Sequence, residues 1–144
     1  MQYIHYGSRE FDKSKFQSVS NAYFRNKPNG GLWASPINAE YGWKKWCTDE
    51  EFMDCTEDQS FTFAVRDDAK ILHLRKSEDL MNVPKIIDPK YRALTKNNMD
   101  FEQLISDGYD AVELHLSDDE RLYWDLHGWD CDSIVILNIN SIVA

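Results

Sequence analysis

The sequence predicts an α+β domain, and three observations carry that expectation. Short apolar or alternating runs at 2–6, 32–34, 60–66, 69–74, 111–116 and 133–139 read as strands. Helical signals at 36–47, 48–51, 100–108 and 117–126 are also short, and glycines or capping side chains bound them. The two kinds of segment are mixed along a chain of 144 residues, which suits one domain over 1–144.

The elements follow in order. Residues 2–6 form a strand that ends at Gly7-Ser8. Residues 9–29 are polar and irregular, anchored by Phe11, Phe16, Tyr23 and Phe24. Lys27-Pro28-Asn29-Gly30-Gly31 is a turn. Leu32 to Ala34 form a strand, and Ser35 caps a helix over 36–47, with Ala39, Trp43, Trp46 and Cys47 on one face. Thr48 to Glu51 has the spacing of a capping box for a second short helix. Strands at 60–66 and 69–74, joined by Asp67-Asp68, predict a hairpin. Pro84 and Pro89 break any long helix over 76–99. Asp100 caps a helix with Phe101, Leu104 and Ile105 on one face, and Gly108 stops it. A strand at 111–116 follows, then a helix capped by Ser117 and Glu120 and ended by Gly128. The β-branched run 133–139 predicts a buried central strand, with Ile142-Val143 packing at its end.

Composition narrows the function. The formal net charge is −9, which disfavours binding to a nucleic-acid backbone, because phosphate contacts need clustered Lys and Arg. The three cysteines lack a disulfide-framework spacing. No apolar stretch approaches membrane-spanning length, and Met1-Gln2-Tyr3-Ile4-His5 has neither the basic start nor the apolar run of a secretory signal. A cytoplasmic location is expected. Aromatic residues make up 13% and crowd between Tyr23 and Phe63, so they build either a bulky core or an aromatic-lined cleft.

The richest segment is Gly30-Gly31-Leu32-Trp33-Ala34-Ser35-Pro36. Glycine admits close approach of another molecule to the backbone. An aromatic ring beside it and a helix start make a bed for a planar, phosphate-bearing ligand. The same residues equally describe a tight turn with Trp33 in the core. His115, His127 and Cys131 match no common zinc spacing, and no metal site is expected.

Three blocks then line up: Tyr3-Ile4-His5-Tyr6-Gly7-Ser8, Gly31-Leu32-Trp33-Ala34-Ser35, and Asp132-Ser133-Ile134-Val135-Ile136. Together they resemble the ADP-ribosyltransferase-like family, which uses NAD. Gly108-Tyr109-Asp110-Ala111-Val112 resembles a helix-to-strand join found there. Two departures stand out. The first block is one residue longer than the usual His-Gly-Ser, and Asp132 stands where the family carries Glu.

The resemblance implies a split β-sheet core, as two packed and mostly antiparallel small sheets, with short helices around an NAD cleft. It implies Asp132 as the catalytic carboxylate, with Asp130 as its alternative, and His5 as a catalytic and ribose-holding residue. Tyr6, Gly7, Ser8 and Gly31 would help hold the cofactor, and Trp33, Ser35 and Tyr41 would line the nicotinamide side. The implied activity is transfer of ADP-ribose from NAD to a macromolecular acceptor, expected to be protein, with release of nicotinamide. Stand-alone domains of this size in the family are microbial or phage effectors. Two alternatives stay open: a catalytically inactive acidic protein that blocks a basic partner, and an NAD glycohydrolase.

Overall fold

Seven strands pair in the order β4-β5-β6-β2-β1-β3-β7 in a computed structural model that describes residues 1–23 and 25–143. The strands are β1 (Gln2–Tyr6), β2 (Leu32–Pro36), β3 (Ser60–Val65), β4 (Ile71–Leu74), β5 (Ala111–Leu114), β6 (Ser133–Ile136) and β7 (Ile142–Val143). Every neighbouring pair is antiparallel except β4 with β5, so the sheet is mixed. The α+β expectation holds at that level, with one seven-stranded order in place of two separate sheets. Strand β2 joins the halves. Its Leu32, Trp33 and Ala34 pair with β6, while Ser35 and Pro36 pair with β1.

Strand alternation sorts the core into two layers. On one face Val112, Leu114 and Val135 pack with Phe101 and Leu104 of α3 (Phe101–Ser106). Leu122 of α4 (Arg121–Asp125) and the fully buried Trp129 complete that layer. On the other face Tyr3, Ala34, Phe63, Ala111, Ile134 and Ile136 meet between the two halves of the sheet. Strand β6 is buried at all four positions, as its β-branched run predicts.

Several elements differ from expectation, each for a local reason. Ser35 and Pro36 stay in β2 rather than opening a helix, because Ile4 and Tyr3 of β1 pair with them. The helix α1 instead spans Trp43–Asp49 with Gly42 at its N-cap. Ser35 caps it all the same, from across the loop: its Oγ accepts from the Trp43 N–H at 2.9 Å. No helix starts at Thr48, which lies in the last turn of α1 and donates its hydroxyl to the Lys44 carbonyl.

The expected hairpin between β3 and β4 does not form. β1 and β7 occupy the two edges of β3, and β4 pairs in parallel with β5. A parallel pair needs a long crossover. The proline-broken segment after β4 supplies it, through two 3-10 turns (Ser77–Asn82 and Pro89–Tyr91), α2 (Arg92–Thr95) and α3.

Asp100 caps α3 as expected, accepting from the Gln103 N–H. Ser117 does not cap α4; its backbone and side chain are turned to Asp132. Strand β5 ends at Leu114 and β6 at Ile136, shorter than the runs that predict them. Tyr23 is exposed rather than anchored, and Phe24 lies outside the described residues. Among the described residues no helix is long and apolar enough to cross a membrane.

Candidate functional site

A cleft of about 480 Å³ opens where β1, β2 and the residues before β6 converge. Its floor and walls include His5, Tyr6 and Gly7 at the end of β1 and Trp33, Ala34 and Ser35 of β2. Trp43 of α1, Asp130, Cys131, Arg25 and Lys27 also line it. Pairing of β1 with β2 makes this possible, since it sets the two sequence blocks side by side.

His5 is held in a defined orientation. Its Nδ1 lies 2.7 Å from the Trp33 carbonyl oxygen, and a carbonyl only accepts, so Nδ1 carries the proton. In the neutral ring, Nε2 is then left with a lone pair and can accept from a hydroxyl. The ring also packs on Phe61, with centroids 5.0 Å apart.

Trp33 meets the fully buried Trp129 edge-on at 4.9 Å, and the Lys27 ammonium sits 5.0 Å from the Trp33 ring centroid. The aromatic quadrupole therefore already holds a cation at this ring. Burial pulls the Lys27 pKa down, and the nearby Asp130 carboxylate works against that fall. Two cations beside one carboxylate, in a protein of net charge −9, make this cleft a local departure from the acidic surface.

Cys131 lines the cleft as a nearly buried thiol. Burial pushes its pKa up to about 12, so it stays protonated at neutral pH and is a poor nucleophile.

The remaining expected site residues lie elsewhere. Asp132 does not line the cleft. Its Oδ1 accepts from the Ser117 N–H at 2.8 Å, and its Oδ2 from the Ser117 hydroxyl at 2.5 Å and the Tyr41 N–H at 3.3 Å. Its own N–H donates to the Tyr41 carbonyl at 2.8 Å. This aspartate ties two loops to the start of β6, and three hydrogen bonds to its carboxylate serve that purpose.

Tyr41 faces a neighbouring groove with Trp46, Ser117 and Trp124, which shares Asp130 with the cleft, and its hydroxyl donates to Asp49 at 3.1 Å. Gly31 is packed, not open: a Cβ there would lie 2.8 Å from Val135 Cγ2. Ser8 is likewise outside the cleft lining.

Arg25, Lys27 and Trp43 are cleft residues that sequence reasoning did not single out. Lys27 had a signal, since it opens the turn that carries the two glycines. Trp43 belongs to the aromatic crowd that offered a cleft lining, whereas Arg25 had no signal, because its place depends on how its loop folds back. No family model, curated protein or solved structure matches the chain.

Proposed function

We propose that the cleft binds NAD and that the protein transfers ADP-ribose to a macromolecular acceptor, releasing nicotinamide. The observation that carries this reading is the meeting of His5-Tyr6-Gly7 and Trp33-Ala34-Ser35 in one cleft with two cations and a carboxylate. Those two blocks carry much of the resemblance to ADP-ribosyltransferases.

Each group has work it can do. The His5 Nε2 lone pair accepts from a ribose hydroxyl. Arg25 and Lys27 offset the pyrophosphate charge. The positively charged nicotinamide ring takes the place of the Lys27 ammonium at Trp33, one cation for another.

Asp130 is the carboxylate in position, and Asp132 supports it by fixing the loop. The C1′–nitrogen bond breaks with its electron pair leaving on nicotinamide, which becomes neutral. The ribosyl cation that develops resembles the oxocarbenium ion of glycoside cleavage, and a carboxylate stabilises it. The acceptor nucleophile then bonds to C1′ and gives up its proton. A microbial or phage effector acting on a protein of a competing system fits this chemistry.

Proton NMR of NAD with the purified protein, with and without cell lysate, tests the reading. NAD lines broaden, and lysate stimulates nicotinamide release. Asp130→Ala lowers release by at least about 100-fold, the scale of losing one stabilising group, while broadening persists. Release without any labelled macromolecule makes the protein a glycohydrolase. Neither broadening nor release overturns the NAD reading and favours the acidic binding protein.

A further inference from the structure

A second cluster lies away from the cleft residues, on the face of the sheet that turns toward β1. Glu113 of β5 is 1% exposed. His73 of β4 stands opposite it in the parallel register, and His115 follows two residues later on the same chain. His73 Nδ1 lies 2.9 Å from His115 Nε2, and His115 Nε2 lies 3.2 Å from Glu113 Oε2. One ligand atom from each residue falls within 4.8 Å of the others.

Three lone-pair atoms thus converge, and the protein's own protons do not serve them all. A proton between the two imidazoles joins His73 to His115 and leaves the carboxylate out. Glu113 Oε2 is buried and has no hydrogen-bond partner among the described residues. A buried carboxylate oxygen without a hydrogen bond is costly, because it has lost its water and has only the His115 ring nitrogen beside it, at 3.2 Å. The other oxygen, Oε1, accepts from the Tyr3 hydroxyl of β1, so the carboxylate is held from behind while Oε2 faces the histidines.

From this geometry we infer that His73, Glu113 and His115 bind a divalent transition-metal ion of the zinc type. Two imidazoles and a carboxylate are the donor set such ions favour. Tetrahedral ligands at zinc bond lengths stand about 3.3 Å apart, close to the 2.9 Å between the two imidazoles and the 3.2 Å between His115 and Glu113. His73 is exposed, so solvent reaches the fourth position. Tyr3 acts one step out: by donating to Glu113 it fixes the carboxylate and links the ion to β1. The ion would clamp the β4–β5 edge to β1 across the inner core. This inference does not depend on the NAD reading.

Zinc and cobalt titration of the full chain, after chelator treatment and dialysis, tests it. One equivalent of zinc binds and raises the melting temperature, and cobalt gives the visible absorption of a tetrahedral site. His73→Ala and Glu113→Gln each weaken zinc binding by at least about 100-fold, more than an outer-shell change, and Tyr3→Phe by about 10–100-fold. Far-ultraviolet circular dichroism checks that each variant is folded. Because His73 is exposed, its variant keeps the test open if a core variant fails to fold. Absence of saturable one-to-one binding overturns the inference. So does binding that His73→Ala leaves unchanged, since that assigns the ion to His5, His127 or the thiols.

Discussion

Gly31 shows how a single position can look like a ligand site and serve packing instead. Its φ is +82°, and an added Cβ would lie 2.8 Å from Val135 Cγ2 and 3.2 Å from the Ile136 carbonyl oxygen. Backbone strain and overpacking then act together in Gly31→Ala, for an expected loss of about 2–4 kcal/mol. Gly108 supplies the control: its φ is +89°, but an added Cβ meets nothing within 4 Å. Gly108→Ala should lose only the left-handed backbone penalty, about 1–2 kcal/mol. Urea denaturation of both variants checks the difference. Equal losses would mean that Val135 moves aside and that Gly31 is needed for its backbone alone. Asp132 teaches the same lesson through polarity. A charged residue at a strand start reads as a site candidate, yet the direction of its side chain depends on Ser117 and Tyr41, which lie far away in sequence.

At the level of elements, Ser35 serves two at once. Its backbone belongs to β2, paired opposite Ile4, while its hydroxyl caps α1 through Trp43. Ser35→Ala should therefore leave the sheet intact and lose a helix cap, about 1 kcal/mol. Faster amide exchange at Trp43 and Lys44, with unchanged protection in β1 and β2, is the expected signature. Uniform loss of protection would show that the cleft wall, rather than the cap, depends on the hydroxyl. Ser35 also marks what was legible in the sequence. Its capping chemistry was readable, but the distance over which it acts was not, so the helix was expected several residues early. Strands β1, β3 and β6 were legible because alternation or β-branched content is local information. The parallel pairing of β4 with β5 was not, since nothing in either strand names a partner across a crossover. For that reason His73 and Glu113 never looked like neighbours. His115 was weighed with His127 and Cys131 instead, at spacings that fit no metal site. His5 with Gly7, and Trp33 with Ser35, were legible as blocks, and pairing of β1 with β2 brings them together.

For the molecule as a whole, a formal charge of −9 at pH 7 sets diffuse repulsion against a few local pairs. The best defined pair network joins Arg121 to Glu78 at 2.8 Å and to Asp119 at 2.7 Å, linking α4 to the 3-10 turn after β4. Arg121 holds both carboxyls below their ordinary values, with hydrogen bonds as the leading cause. A carboxyl whose pKa is depressed in the folded state stabilises the fold above its unfolded value and loses that contribution as pH falls through the folded one. The unfolded values are 4.5 for Glu78 and 3.8 for Asp119, so the network contributes in full at neutral pH and gives that contribution up as pH falls from about 4 through the lower folded values. Diffuse repulsion runs the other way, easing as pH falls toward the isoelectric point near 4.8. The two trends place maximal stability on the acid side of neutrality, with a gradual decline below about pH 4. At pH 7, added salt should raise the melting temperature, because it screens repulsion between many distant charges more than contacts within one network. Arg121→Gln separates the contributions. Its melting temperature should fall below that of the parent at pH 7, and the gap should close as pH drops and both carboxyls protonate in either protein. A gap that stays constant to pH 2 would assign the stabilisation to packing of the Arg121 stem against its neighbours, with its charge contributing little.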